Sequence, residues 1–281
     1  MGTNSFIPEI WSALISKEFE KALVYGSCAN TDHEGTIAAA GNKVRILELG
    51  DVTVSPYVKG TTVISYQELE DASKYLLIDQ SKYFAFKVDD VDTAQANPKL
   101  IGPATAKAAI AVADTVDQFL ASLYAKAGIV ANLGTTATPI EINSANVLTY
   151  LRMMARLLDD QSVPRAGRFV VVPPWFVEDL VKADATLSTS NVDTLVNGMV
   201  GRSCGFDVKM SVNVPNTTST KYKIIAGTNA AMSFASQVAE VEALRLEGSF
   251  SSAVRGLYLY GGEVLHPDAL ACLTANEAAE A

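Results

Sequence analysis

The chain has 281 residues, 49% of them hydrophobic and 19% charged, with 22 Lys+Arg against 31 Asp+Glu and a formal charge of -9. That much apolar side chain offsets the entropy of ordering, which excludes a disordered protein and allows one large domain or two modest ones. The acidic balance excludes a dedicated nucleic-acid binder acting through its overall field, and the low charged fraction points to an obligate oligomer whose neighbours cover part of the surface.

Residues 6–25 read as an amphipathic helix, with Ile7, Ile10, Trp11, Leu14, Ile15, Phe19 and Leu23 at three- and four-residue steps. The face made by Ile10, Trp11 and Leu14 fits either its own core or a neighbouring subunit. A Gly/Asn/Asp-rich loop spans 26–41. From Lys43 to Val91 the texture is β: alternation at 44–46 and 52–54, a tip at Pro56, Lys59 and Gly60, a return through 62–66, then runs at 75–78 and 83–88. A β segment this long with Gly and Pro at its bend is a two-stranded excursion, marginal alone and in need of a partner surface. Val54, Tyr57, Lys59 and Val63 near its tip are therefore candidate inter-subunit contacts.

Residues 103–127 form the longest helical pattern, roughly 37 Å at 1.5 Å per residue. Pro103 suits a first turn and Gly128 a stop. Ile110, Ala113, Val116, Leu120, Leu123 and Tyr124 make its apolar stripe, and Asp117 is assigned to the adjoining face. A turn-rich bridge at 135–142, a helix at 144–160, a continuous β-branched strand at 168–172 and a helix at 175–183 then read as an α/β unit, so 143–235 looks like a compact subdomain. A short helix at 193–200 and strands at 205–214 and 222–225 complete it. After Ala239 the chain returns to β at 241–246, 253–260 and 264, and 275–281 reads as an acidic tail that need not be ordered.

Chemistry-bearing patterns are weak. Cys28, Cys204 and Cys272 are far apart and odd in number, with neither metal-ligand spacing nor a disulfide framework, which fits a reducing compartment. His33 and His266 belong to no nucleophile or metal motif, and no Gly-x-Ser-x-Gly elbow is present. The stretch 35–43 fails as a phosphate loop because Lys43 is followed by Val44 rather than Ser or Thr. Asp89, Asp90 and Asp92 lack the Gly and distal Glu of a calcium loop and read instead as a solvated strand end or an inter-subunit salt-bridge site. No catalytic, metal or cofactor site is expected. Pro8 and Glu9 interrupt the opening apolar residues, so no secretory signal is readable, and no apolar run spans a bilayer. A soluble chain made in the cytosol is expected.

The order of parts (helical arm, long β excursion, one long helix, α/β subdomain, return to β) resembles the tailed-bacteriophage major capsid proteins of the Hong Kong 97-like fold. Local phrases are also similar: 6–12 to the family's opening, 77–80 and 83–90 to the strand before its long helix, 205–208 with 214–215 and 255–257 with 260–261 to its late strands. The resemblance implies an α+β fold with an N-arm at 1–32 and an extended loop at 33–92. It implies a peripheral domain at 93–142 and 236–266 and an axial domain at 143–235 and 267–281. It further implies self-assembly into pentamers and hexamers of an icosahedral shell, in a virion built in the host bacterial cytoplasm. Packaged double-stranded DNA would be touched non-specifically, in keeping with a chain lacking a basic stripe. No membrane is implied; scaffolding, portal and decoration proteins are the further partners. The chain opens directly with the arm, which implies no long scaffolding segment and leaves open a separate scaffold or a cleaved one. One branch of the family crosslinks a loop lysine to a neighbour's asparagine. Lys59 lies in that region, with no asparagine or assisting acid matched to it. The alternatives are a cellular nanocompartment shell, a tail tube, or an α/β enzyme with a cleft near Pro173 and Pro174.

Overall fold

The computed structural model describes residues 23–32, 43–49, 71–89, 101–183, 199–218, 220–245 and 251–278, with single positions at 54, 56, 59 and 66. In chain order these form β1 (Lys43–Leu49), β2 (Asp71–Leu77), β3 (Gln80–Asp89), α1 (Ile101–Ser122), β4 (Ile140–Ile142), α2 (Val147–Asp160), β5 (Arg168–Val172) and α3 (Pro174–Ala183). There follow β6 (Met199–Ser203), β7 (Phe206–Met210), β8 (Asn216–Thr217), β9 (Lys221–Thr228), β10 (Met232–Arg245), β11 (Ser251–Val264) and β12 (Leu270–Glu277).

Three sheets organise these elements. The largest runs β4-β12-β9-β5-β7-β6, with β8 added beside β9; a second runs β10-β11-β3, and β1 pairs with β2 as a two-stranded ribbon. Strand β5, Arg-Phe-Val-Val-Val, is buried at all five positions. It lies between β9, antiparallel, and β7, parallel, so both of its faces need apolar, β-branched residues and it cannot alternate. Helix α2 packs on this sheet through Val147, Leu151, Met154 and Leu158, all buried at three- and four-residue intervals.

Helix α1 covers the second sheet. Ala109, Ala113, Val116, Leu120 and, just beyond it, Leu123 form the buried stripe, while Ile110 is 53% exposed. The Phe119 ring meets Tyr260 edge-on at 5.3 Å between centroids. On β11 the side facing the helix alternates Val254, Gly256, Tyr258 and Tyr260. Gly256 lies opposite Phe84 on β3, and a Cβ there would fall 2.3 Å from the Phe84 ring. The ring fills the space that a side chain would occupy.

Several expectations are corrected here. The helix expected over 6–25 does not reach Tyr25: Leu23–Tyr25 are non-helical, and a single 3-10 turn follows at Gly26–Cys28. The long helix ends at Ser122 and tightens into 3-10 geometry over Leu123–Lys126. Ile110 is off the stripe because the 4-3-4-3 spacing runs through Ala109, and Asp117 is buried at 2% exposure. The bridge at 135–142 ends in strand β4, Met199–Val200 are strand rather than helix end, and the return to β begins at Met232. The remainder of the helix expected at 193–200 lies outside the described residues. The acidic tail expected at 275–281 is replaced through Glu277 by β12, which sits between β4 and β9 with Ala275 fully buried. Alternation was too weak to reveal it, since six consecutive buried positions in β12 leave no polar beat.

Candidate assembly surfaces

A sheet or ribbon with open edges and apolar side chains in water is the physical signature of a surface that another chain covers. The β1–β2 ribbon has this character. Its register pairs Lys43 with Leu77 through Leu49 with Asp71. Among the described residues its root touches the body through a small cluster of Leu76, Ile78, Ala235 and Leu259 with Ile46 beside it. The seat is close-fitting: a Cβ on Gly261 would fall 2.1 Å from the Leu77 carbonyl oxygen. Lys74 adds a hydrogen bond from its Nζ to the Leu265 carbonyl. Tyr75 and Leu77 are exposed, and Val54 and Tyr66 reach 92%.

The face of the β10-β11-β3 sheet turned away from α1 carries a second apolar feature. Tyr83, 80% exposed, and Leu257 border a shallow depression of about 400 Å³ lined also by Ala85, Glu242, Arg255 and Gly256. Arg255 Nε donates to Glu242 Oε2 at 2.7 Å, which holds the rim in place.

The N-terminal segment is fastened from two sides. Asp117, toward the C-terminal end of α1, accepts backbone N–H bonds from Val24 at 3.1 Å and Tyr25 at 3.0 Å. Asn30 bridges to β10, donating to the Met232 carbonyl at 2.8 Å and accepting from Phe234 at 2.9 Å. Burial pushes the Asp117 carboxyl up to about 6, against the pull of the Val24, Tyr25 and Gly26 amides. Burial likewise pushes the Cys28 and Cys272 thiols up to about 11, so both are chemically quiet packing residues. Among the described residues no group of three or more His, Cys, Asp or Glu could hold a metal, and no helix is long and apolar enough to cross a membrane.

Of the expected contact residues, Ile10, Trp11, Leu14, Tyr57, Val63 and Asp90 lie outside the described residues. Val54 is nearly fully exposed, Lys59 stands exposed in a turn, and Asp89 closes β3 opposite Ser251. The net charge conceals a local concentration of arginine that is a bowl rather than a stripe. Arg152, Arg156, Arg165, Arg168 and Arg202 converge on one bowl. Four of them fall between residues 152 and 168, a density visible in the sequence but masked by the negative total. Asp159 accepts from Arg165 Nε at 3.2 Å and Nη2 at 2.7 Å, and from Arg168 Nη2 at 2.8 Å, which holds its carboxyl below the usual range.

A family model described as phage capsid protein matches residues 73–273. The chain belongs to the phage capsid protein family. A structure titled Mycobacterium phage Che8 superposes with a TM-score of 0.70 at 28% identity, over 89% of this chain and 90% of that one. The capsid of cyanophage P-SCSP1u gives 0.68 at 17% identity, over 92% and 88%. A virus-like particle from Pyrococcus furiosus gives 0.61 at 12% identity, over 96% and 100%. The latter two share the fold. No curated protein matches the sequence. The α+β architecture is that of the Hong Kong 97-like capsid proteins, and the chain is a structural, non-enzymatic major capsid protein. It assembles with copies of itself into the shell of a virion.

Proposed function

We propose that the chain builds pentamers and hexamers of an icosahedral shell enclosing double-stranded DNA, with the β1–β2 ribbon laid across an adjacent subunit. In this arrangement 1–32 is an N-arm and 33–92 an extended loop. Residues 93–142 and 236–266 form a peripheral region with α1 as its spine, and 143–235 with 267–281 an axial region. Ile10, Trp11, Leu14, Val54, Tyr57, Lys59, Val63, Asp89 and Asp90 contact neighbours, and Tyr83 and Leu257 join them. Assembly takes place in the host bacterial cytoplasm, where a scaffolding protein, a portal and decoration proteins are further partners.

The ribbon root carries this proposal. Among the described residues the ribbon is held at its root by a small apolar cluster, the Lys74 bond and the Gly261 seat, which leaves it marginal in water. Its exposed Tyr75 and Leu77, with Val54 and Tyr66 of the same excursion, would gain burial against another chain. Negative-stain images of the purified chain are expected to show closed particles of uniform diameter. Tubes, or monomers under every condition, would overturn the proposal.

Hydrogen exchange gives a second expectation. Amides of Lys43–Leu49 and Asp71–Leu77 should exchange much faster in dissociated subunits than in particles, while β5 amides stay protected in both. Equal protection of the ribbon in the two states would place it in a subunit's own core.

A further inference from the structure

The charge of this chain is unevenly distributed. Although the total is -9, five arginines surround an open bowl of about 840 Å³ whose lining, among the described residues, holds a single carboxylate, Asp159. The bowl is a built feature. Arg168 is 2% exposed and fixed on three sides, donating to the Pro164 carbonyl at 3.0 Å, the Ala155 carbonyl at 3.3 Å and the Val163 carbonyl at 2.5 Å. Asp159 is shared between Arg165 and Arg168. Arg202 is answered by Asp207 at 2.8 Å.

Arg152 and Arg156 remain. They stand one turn apart on α2, both exposed, and among the described residues neither has an ion-pair partner. Like charges at this spacing oppose helix formation. A local rule broken with no compensation among the described residues is a mark of a binding site. Among the described residues the lining contains no lysine, and the planar guanidinium fork is the group that grips carboxylate or phosphate with two parallel bonds.

The shape of the charge selects the ligand. A nucleic-acid backbone is followed by cations strung along a track, whereas these arginines converge on one depression and are flanked by carboxylates. Subunits that each carry -9 repel one another, so a shell of such subunits needs discrete contacts of opposite sign. We propose that this bowl is an inter-subunit seat for carboxylates of a second copy of the chain. The proposal rests on the shell function and names one of its contacts.

The test uses the full chain with Arg152→Gln/Arg156→Gln as a double substitution, and Arg202→Gln separately as a variant on another element. Shell yield is read by sedimentation and imaging at about 50 and about 500 mM salt. Wild-type yield should fall with salt. The double variant should lose about tenfold in yield at low salt and show a flatter salt dependence, with the thermal unfolding temperature of the free subunit unchanged or slightly raised. Arg202→Gln should move the same way by a smaller factor. Wild-type yield and salt dependence in both variants would overturn the proposal. So would loss of retention of a short DNA duplex with shell yield intact, which would make the bowl a phosphate seat. A wild-type chain that forms no shells at all would remove the shell function as well, an outcome distinct from either.

Discussion

Replacing Asp117 with alanine is expected to destabilise the free subunit by about 2–4 kcal/mol at pH 4, because the Val24 and Tyr25 amides lose their acceptor inside the protein. The size of the effect should depend on pH in a defined direction. In the folded chain the Asp117 carboxyl titrates at about 6 instead of 3.8, so the native state binds this proton more tightly than the unfolded state does. Its contribution to stability is therefore complete below about pH 4 and is lost as pH rises through about 6, by roughly 3 kcal/mol. The gap between wild type and Asp117→Ala should narrow over that window. Asp117→Asn keeps one acceptor oxygen and cannot ionise, so its stability relative to wild type should rise between pH 4 and pH 6 and then stay level. Urea unfolding of the unassembled subunit at pH 4, 5, 6 and 7 measures all three chains. A constant offset between wild type and Asp117→Asn across the series would show that the carboxyl does not titrate there.

The second large effect is expected at Gly261. A Cβ at this position would stand 2.1 Å from the Leu77 carbonyl oxygen and 2.9 Å from the Ile78 Cα, both parts of the backbone and unable to swing aside. Gly261→Ala should cost roughly 3 kcal/mol, and the strain should be relieved by lifting the end of β2 from its seat. Leu76 and Ile78 would then leave the small cluster with Ala235 and Leu259. Faster exchange of Asp71–Leu77 amides in the free subunit, together with a steep loss of closed particles, is the expected pair of results. Unchanged exchange and unchanged particle yield would show that the ribbon is held by something other than this contact.

How far the fold was legible depended on the periodicity that each segment's environment allows. Helix α2, with one face on a sheet and one in water, displays Val147, Leu151, Met154 and Leu158 in plain rhythm, and strand β5 is evident from its unbroken β-branched run. Strand β12 is buried at its first six positions and contains Ala, Cys and Thr rather than large β formers. Nothing local distinguishes it from an unstructured tail; its burial is imposed by β4 and β9, far away in sequence. Asp117 was misplaced for a related reason. A charged residue beside an apolar stripe ordinarily faces water, and only the tertiary approach of Val24 and Tyr25 makes it an interior acceptor. The arginine bowl was hidden by averaging, since a total of -9 conceals four arginines within seventeen residues. The long helix, by contrast, was legible from its apolar stripe and its boundaries at Pro103 and Gly128. The alternation at 44–46 marked β1, whose partner is Asp71–Leu77, while the expected tip and return at 62–66 lie outside the described residues but for single positions.

The position of β12 has a consequence for the quality of the particle. Every strand that flanks it, and every strand of the sheet it completes, precedes it in the chain, so during synthesis the sheet stays open until residues 270–277 have left the ribosome. Folding of this half of the molecule is thereby postponed until β12 is available, with long-range pairings that close late. A polypeptide interrupted anywhere upstream lacks the strand that joins β4 to β9 and exposes the edges on either side. Such a fragment cannot present a finished surface to its neighbours and is left to proteolysis. Strand order in this way keeps a chain interrupted before β12 from completing its sheet, and a shell of many identical parts is protected from incorporating such pieces.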